Sequence, residues 1–259
     1  MAETMVLIHG MWGTASHWEN FRGYFEGRGY RCVAPTLRYH DMDPRGIPDP
    51  ALGRTSLLDY AVDLEKIIRG LPARPIVLGF SMGGILAQIL ASRGLAKAVV
   101  LLTPAPPSGI NALRPSIVIE FRSALLKWGF WRKPYRLPFR ETSLAMLNEM
   151  PRESRRGIYD KLVYESGRAT CEIGFWFFDP RGATRVDASK MTCPVLIISG
   201  RKDREHPISV VRKVAKRYRM VATFEELPDH GHWLIGEPGW EKIAERVEQW
   251  LRRTLSGPV

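Results

Sequence analysis

The chain has 259 residues, 45% of them hydrophobic, 25% charged and 10% aromatic. That is enough to bury one sizeable core, as a single large domain or a domain with an insertion, and it excludes a disordered, collagenous or low-complexity chain. Three cysteines exclude a disulfide scaffold, and the net charge of +11 is scattered along the chain, so it reads as an arginine-rich solvated surface rather than a nucleic-acid site.

The first residues, Met1-Ala2-Glu3-Thr4, lack the basic region and long apolar run of a signal peptide, and the odd cysteine count fits a reducing compartment. The cytoplasm is therefore the expected location. Strands are expected at Met5–His9, Tyr30–Ala34, Ile76–Gly79, Ala98–Thr103, Val195–Ser199 and Thr223–Leu227, mostly Val/Ile/Leu runs of the kind buried on both faces. Helices are expected between them. The first covers about Trp18–Arg28, and the second Leu57–Ile68, where Leu57, Ala61, Leu64 and Ile68 share a face and Ser56 can cap. Met82–Ser92, Pro207–Arg217 and Trp240–Leu251 follow. Leu37–Arg54 reads as a long, Pro- and Gly-bearing loop. The uncharged stretch Pro75–Ser92 holds three glycines, Ser81 and Gln88, so it reads as strand, turn and helix and implies no stable membrane insertion. This alternation predicts an α/β fold with a mainly parallel sheet of about six strands.

Residues 107–190 break the rhythm. These 84 residues carry 12 of the 26 aromatics and no clear buried strand. Ile117–Trp128 and Arg152–Ser166 look helical. The organisation expected is a core of residues 1–106 and 191–259 with a mostly helical insertion at 107–190.

The strongest chemical signal is Gly79-Phe80-Ser81-Met82-Gly83, a G-x-S-x-G turn between a buried strand and a helix. Such a turn presents Ser81 Oγ above the sheet on a strained backbone, with glycines allowing strand and helix to approach. The spacing fits neither a phosphate loop nor a dinucleotide turn. His9-Gly10-Met11-Trp12 leaves the first strand. Acyl transfer needs two N–H donors for the oxyanion, and Met82 supplies one, with Met11, or less favourably Trp12, the other. His9 reads as a brace for its loop. A base is expected late in the chain, at His230 or His232. An orienting acid is expected at Asp203, past the strand Val195–Ser199, with Glu205 as runner-up. His17, His40 and His206 read as ordinary surface or loop residues.

Taken together, His9-Gly10-Met11, Gly79-Phe80-Ser81-Met82-Gly83, Gly200-Arg201-Lys202-Asp203 and Gly231-His232-Trp233 resemble the α/β-hydrolase superfamily. The resemblance favours His232 over His230. It implies a Ser81–His232–Asp203 triad, an oxyanion hole and a helical cap in the position of 107–190. Only Met1–Thr4 precede the first strand, where the family usually has two antiparallel strands, so a sheet of six strands rather than eight is expected.

The function expected is hydrolysis of a small or medium apolar carboxylic ester through an acyl-enzyme on Ser81, with Trp12, Phe80 and Trp128 lining the substrate pocket. No cofactor or metal is expected, since no metal, nucleotide or flavin motif is present. The same triad also suits a C–C bond hydrolase, a cofactor-free lyase, a perhydrolase or a thioesterase. The last could engage an acidic carrier protein through Arg152, Arg155 and Arg156. A binding protein of low activity on the same fold is the alternative from another class.

Overall fold

The computed structural model describes residues 2–112, 117 and 121–255. Its elements in chain order begin with β1 (Thr4–Ile8), α1 (Glu19–Glu26), β2 (Arg31–Val33), α2 (Leu57–Arg69), β3 (Ile76–Phe80), α3 (Met82–Ser92) and β4 (Ala98–Leu102). Then come α4 (Arg122–Leu125), β5 (Pro134–Tyr135), α5 (Phe139–Leu144), α6 (Arg152–Asp160), β6 (Glu165–Ser166) and α7 (Gly167–Gly174). The chain closes with β7 (Val195–Gly200), α8 (Ile208–Arg217), β8 (Ala222–Leu227) and α9 (Trp240–Leu255).

Six strands pair in parallel in the order β2-β1-β3-β4-β7-β8. All six expected strands are present. Successive side chains point to opposite faces, so each inner strand feeds two core layers. Val6, Ile8, Val77 and Val99 pack with α2, α3 and α8, while Met5, Leu7, Leu78 and Val100 pack with α1 and α9. Helix α2 starts where a capping box forms. Ser56 Oγ accepts from Leu58 N–H, and the Asp59 carboxylate accepts from Ser56 N–H. No helix among the described residues is long and apolar enough to cross a membrane.

The stretch 107–190 departs from its expected reading in two places. It contains a two-stranded ribbon, β5 against β6, with Tyr135 opposite Glu165. The helix expected over Arg152–Ser166 stops at Asp160. Val163 is fully buried, and its N–H donates to Trp12 O at 2.9 Å, a long-range bond that draws the backbone out of the helix. The Ile117–Trp128 expectation falls partly outside the described residues. Within them Ile117 and Arg122–Leu125 are helical.

The ribbon is fastened to α2 by buried carboxylates. Glu165 Oε1 accepts from Tyr60 O–H at 2.8 Å and from Ser166 N–H at 2.6 Å, and its Oε2 lies 3.1 Å from His40 Nε2. His40 is therefore a core residue, contrary to its reading as a surface histidine. Burial lowers its pKa, but the adjacent Glu165 charge outweighs this and holds it above the ordinary value. Glu172 is held by Ser56 O–H, Leu57 N–H and Arg168. Removing one partner of a buried ion pair strands the other. Glu165→Ala is accordingly expected to lower stability by about 3–5 kcal/mol in urea unfolding at pH 6. A loss under ~1 kcal/mol would show that the network contributes little.

Candidate active site

A crevice opens at the carboxyl ends of a parallel sheet where adjacent strands send their connections in opposite directions. Here that point lies between β1 and β3, because the chain leaves β1 toward β2 on one side and β3 toward β4 on the other. The turns after these strands touch. A side chain on Gly83 would collide with the carbonyl oxygen of Ile8, and one on Gly10 would come within 3.0 Å of Ser81 Cβ. These positions need glycine for close approach rather than for a left-handed backbone.

Ser81 follows β3 directly, at φ 53° and ψ −118°, and precedes α3. A non-glycine residue in such a conformation costs about 1–3 kcal/mol and persists only when its surroundings hold it. Three bonds do so: Ser81 N–H donates to Leu102 O, and Ser81 O accepts from Gly84 N–H and Ala105 N–H. Met82 is the first residue of α3, so its N–H is among those with no intrahelical acceptor. Met11 lies in the turn after β1 and faces the same cavity as Ser81 and Met82.

Asp203 leaves β7 three residues past its end. Its Oδ1 accepts from His206 N–H at 2.8 Å and its Oδ2 lies 2.9 Å from His232 Nδ1. A carboxylate only accepts, so His232 Nδ1 carries the hydrogen. The histidine loop after β8 crosses Gly200, where a side chain would strike the carbonyls of His230 and Gly231. Glu237 braces this loop from beneath, accepting from Gly231 N–H and Trp233 N–H at 2.9 Å each. His230 turns toward Glu237, 3.2 Å away, so it is His232 that meets Asp203.

Glu205, the runner-up for the orienting acid, stands on the other side of the His232 ring from Asp203. Its Oε2 lies 3.0 Å from His232 Nε2, close enough for an ion pair but too bent for a hydrogen bond. Among the described residues neither His232 Nε2 nor Glu205 Oε1 has a hydrogen-bond partner, although both atoms are buried. No hydrogen bond joins His232 Nε2 to Ser81 Oγ. Such bonds often tighten only when substrate binds. Burial would lower the His232 pKa, but the charges of Asp203 and Glu205 and the bond to Asp203 overcome it and lift the pKa to about 9. Burial pushes Glu205 up to about 7, with attraction to His232 opposing and repulsion from Asp203 adding. His206, read as an ordinary loop residue, is half-buried against this group, its ring 5.0 Å from that of His232. Burial and His232 lower its pKa to about 4, so it is neutral, and its Nδ1–H donates to Thr103 O.

The cavity beside Ser81 measures about 90 Å³. Met11, Met82, Phe121, Leu125, Phe130, Ile173 and Phe175 supply most of its apolar wall, and Glu205, His206 and Thr170 its polar points. The three aromatic residues expected to line it are elsewhere. Trp12 is buried against Phe121 and Tyr135, Phe80 packs on His232 and Trp233, and Trp128 is 85% exposed. Aromatic content alone did not say which rings face inward. The arginine strip on α6 is also largely occupied. Arg155 donates to the carbonyls of Met150, Asn148 and Ser143, and Arg156 pairs with Asp160. Asp203, His206 and His232 can each bring one ligand atom within 4.8 Å of the others. Hydrogen bonds already engage Asp203 Oδ2, His232 Nδ1 and His206 Nδ1, as suits proton handling better than a cation cage. His9 braces its loop as expected, through Gly10 O and Leu37 N–H.

A profile described as the alpha/beta hydrolase family matches residues 5–246. No curated protein matches the chain in sequence. Among solved structures, a pyrethroid hydrolase from Sphingobium faniae JZ-2 is 17% identical with a TM-score of 0.69, covering 96% of this chain and 97% of its own. A methylesterase from Arabidopsis is 13% identical with a TM-score of 0.70, covering 96% and 100%. An extracellular alpha/beta-hydrolase from a Paenibacillus species is 18% identical with a TM-score of 0.72, covering 95% and 98%. At these identities the likeness is one of fold.

Proposed function

The chain belongs to the alpha/beta hydrolase family, and on that premise we propose that it is a serine hydrolase cleaving the ester of a small carboxylic acid through an acyl-enzyme on Ser81. The observation that carries this reading is Ser81 itself, held at a positive φ on a strand-to-helix turn and facing a mostly apolar cavity. The esterases and hydrolases among its structural neighbours support the same reading.

In the proposed reaction, Ser81 Oγ attacks the ester carbonyl while His232 Nε2 takes its proton. Asp203 keeps the Nδ1–H tautomer and stabilises the imidazolium that forms. The N–H groups of Met82 and Met11 receive the developing oxyanion, each donor being worth roughly 10²–10³ in turnover. His232 returns the proton to the leaving alcohol, and water then releases the acid by the same steps in reverse roles. In the resting arrangement Nε2 leans toward Glu205, so a small turn of the ring or of Ser81 has to precede attack.

On the scale in which this cavity measures about 90 Å³, one water needs about 10–15 Å³, so it admits an acyl group of roughly six to nine heavy atoms. With aryl esters of rising chain length, kcat/KM is expected to peak between butanoyl and hexanoyl and to fall at least tenfold by dodecanoyl. A fluorophosphonate probe is expected to modify Ser81, as read by peptide mass. If the probe left Ser81 unmodified and no ester turned over, the reading would be wrong.

A further inference from the structure

Among the polar groups that line the cavity, Thr170 O–H already bonds to Ser166 O, and His206 Nδ1 to Thr103 O. Ser81 is the proposed nucleophile. Glu205 differs from all of these. It is 6% exposed, it faces the cavity, and its Oε1 has no hydrogen-bond partner among the described residues. A buried acceptor left unsatisfied costs more than a typical hydrogen bond returns, and more still when charged. Such an atom calls for a functional role or a partner that completes it.

We propose that Glu205 is a specificity-determining residue that accepts a hydrogen bond from a hydroxyl group on the acyl part of the substrate, so that the preferred esters are those of small hydroxy acids. This rests on the serine-hydrolase reading above. The closeness of Glu205 to the base fixes the position of the hydroxyl. Glu205 Oε2 is 3.0 Å from His232 Nε2, the atom that serves Ser81 Oγ in the proposed reaction, so a donor that reaches the carboxylate sits within a few bonds of the scissile carbonyl. The apolar remainder of the wall argues against an ammonium group, whose other two N–H bonds would go unmet. A free hydroxyl needs one acceptor, and Glu205 supplies it. The carboxyl's raised pKa is consistent with this role, since a partly neutral group near the developing oxyanion opposes it less than a full charge would.

The effect goes beyond added affinity. Glu205 Oε2 lies beside His232 Nε2. A hydroxyl that engages the carboxylate draws it toward the cavity and frees Nε2 for Ser81. Substrates lacking the donor leave Glu205 competing for the base.

The test compares methyl 2-hydroxypropanoate with methyl propanoate, each kcat/KM divided by the rate of the ester's uncatalysed alkaline hydrolysis. For the wild type the corrected ratio is expected to be tenfold or more in favour of the hydroxy ester. In Glu205→Leu it is expected to fall to within about twofold of unity. In Glu205→Gln, which keeps an acceptor oxygen of the same reach, a clear preference is expected to survive. The ratio is taken within each variant, so a general loss of activity cancels, and probe modification of Ser81 establishes that each variant is folded. An equal ratio in wild type and Glu205→Leu overturns the assignment. So does a wild type that processes activated esters but shows no preference for the hydroxy ester. A preference for methyl 2-aminopropanoate over both would overturn the hydroxyl assignment in favour of a cationic group. Failure of the parent reading looks different, as neither probe modification nor any ester turnover would then occur.

Discussion

Ser81→Ala is expected to yield a folded protein whose kcat on short aryl esters is lower by about four to six orders of magnitude. The whole proposed reaction passes through Oγ. Without it the remaining groups can only assist direct attack by water, a residual worth roughly 10³–10⁴ over the uncatalysed rate. The substitution removes one atom at a residue whose backbone bonds to Leu102, Gly84 and Ala105 stay in place. The strained φ is common to serine and alanine, so thermal unfolding should move little. Comparable turnover in wild type and variant would mean that the nucleophile lies elsewhere.

Asp203→Asn should cost about 10⁴ in kcat/KM, and the structure gives the reason. The Oδ1 position accepts from His206 N–H, so the carbonyl oxygen of an asparagine settles there. Its NH₂ then faces His232 Nδ1, which must become the acceptor. The ring hydrogen moves to Nε2, the atom that has to receive the proton of Ser81. The pH profile carries a second signature. Since the base works unprotonated, wild-type kcat/KM should rise with pH through a value near 9, where Asp203 and Glu205 hold the His232 pKa. The groups around the ring are Asp203, Glu205, His206 and, through the loop, Glu237. Asp203 supplies the largest upward contribution, so its neutralisation should shift the rising limb of the residual activity to lower pH. Activity within tenfold of wild type, with an unmoved limb, would transfer the orienting role to Glu205.

The parts of this molecule that were legible in its sequence are those fixed by local pattern. Apolar runs such as Met5–Ile8 and Val195–Ser199 leave no choice but a strand buried on both faces, and Ser56 with Asp59 marks the start of α2. Gly79 and Gly83 flanking Ser81 signal the tight turn, because nothing larger lets α3 lie against β1. What could not be read depends on partners distant in the chain. His40 meets Glu165 across 125 positions, and no local pattern announces that. Glu205 and Asp203 sit two residues apart on one loop, and only the folded backbone shows which oxygen reaches Nδ1 and which leans on Nε2. His232 was preferred to His230 through family likeness. The physical reason, Glu237 occupying His230, emerges only in three dimensions. The two-residue strands β5 and β6 are too short for any periodicity to appear.

The carboxylates of Glu165 and Glu172 have one more consequence, for the roof of the chamber. They latch β6 and α7 to the start of α2, so that flank of the roof cannot part from the sheet without exposing two dry acids. The opposite flank, Phe121–Leu125, lines the same chamber mainly through apolar side chains, and its polar ties run to Glu141 instead, through Ser123 O–H and Arg122. The latched side keeps Phe175 and Ile173 in register with Ser81.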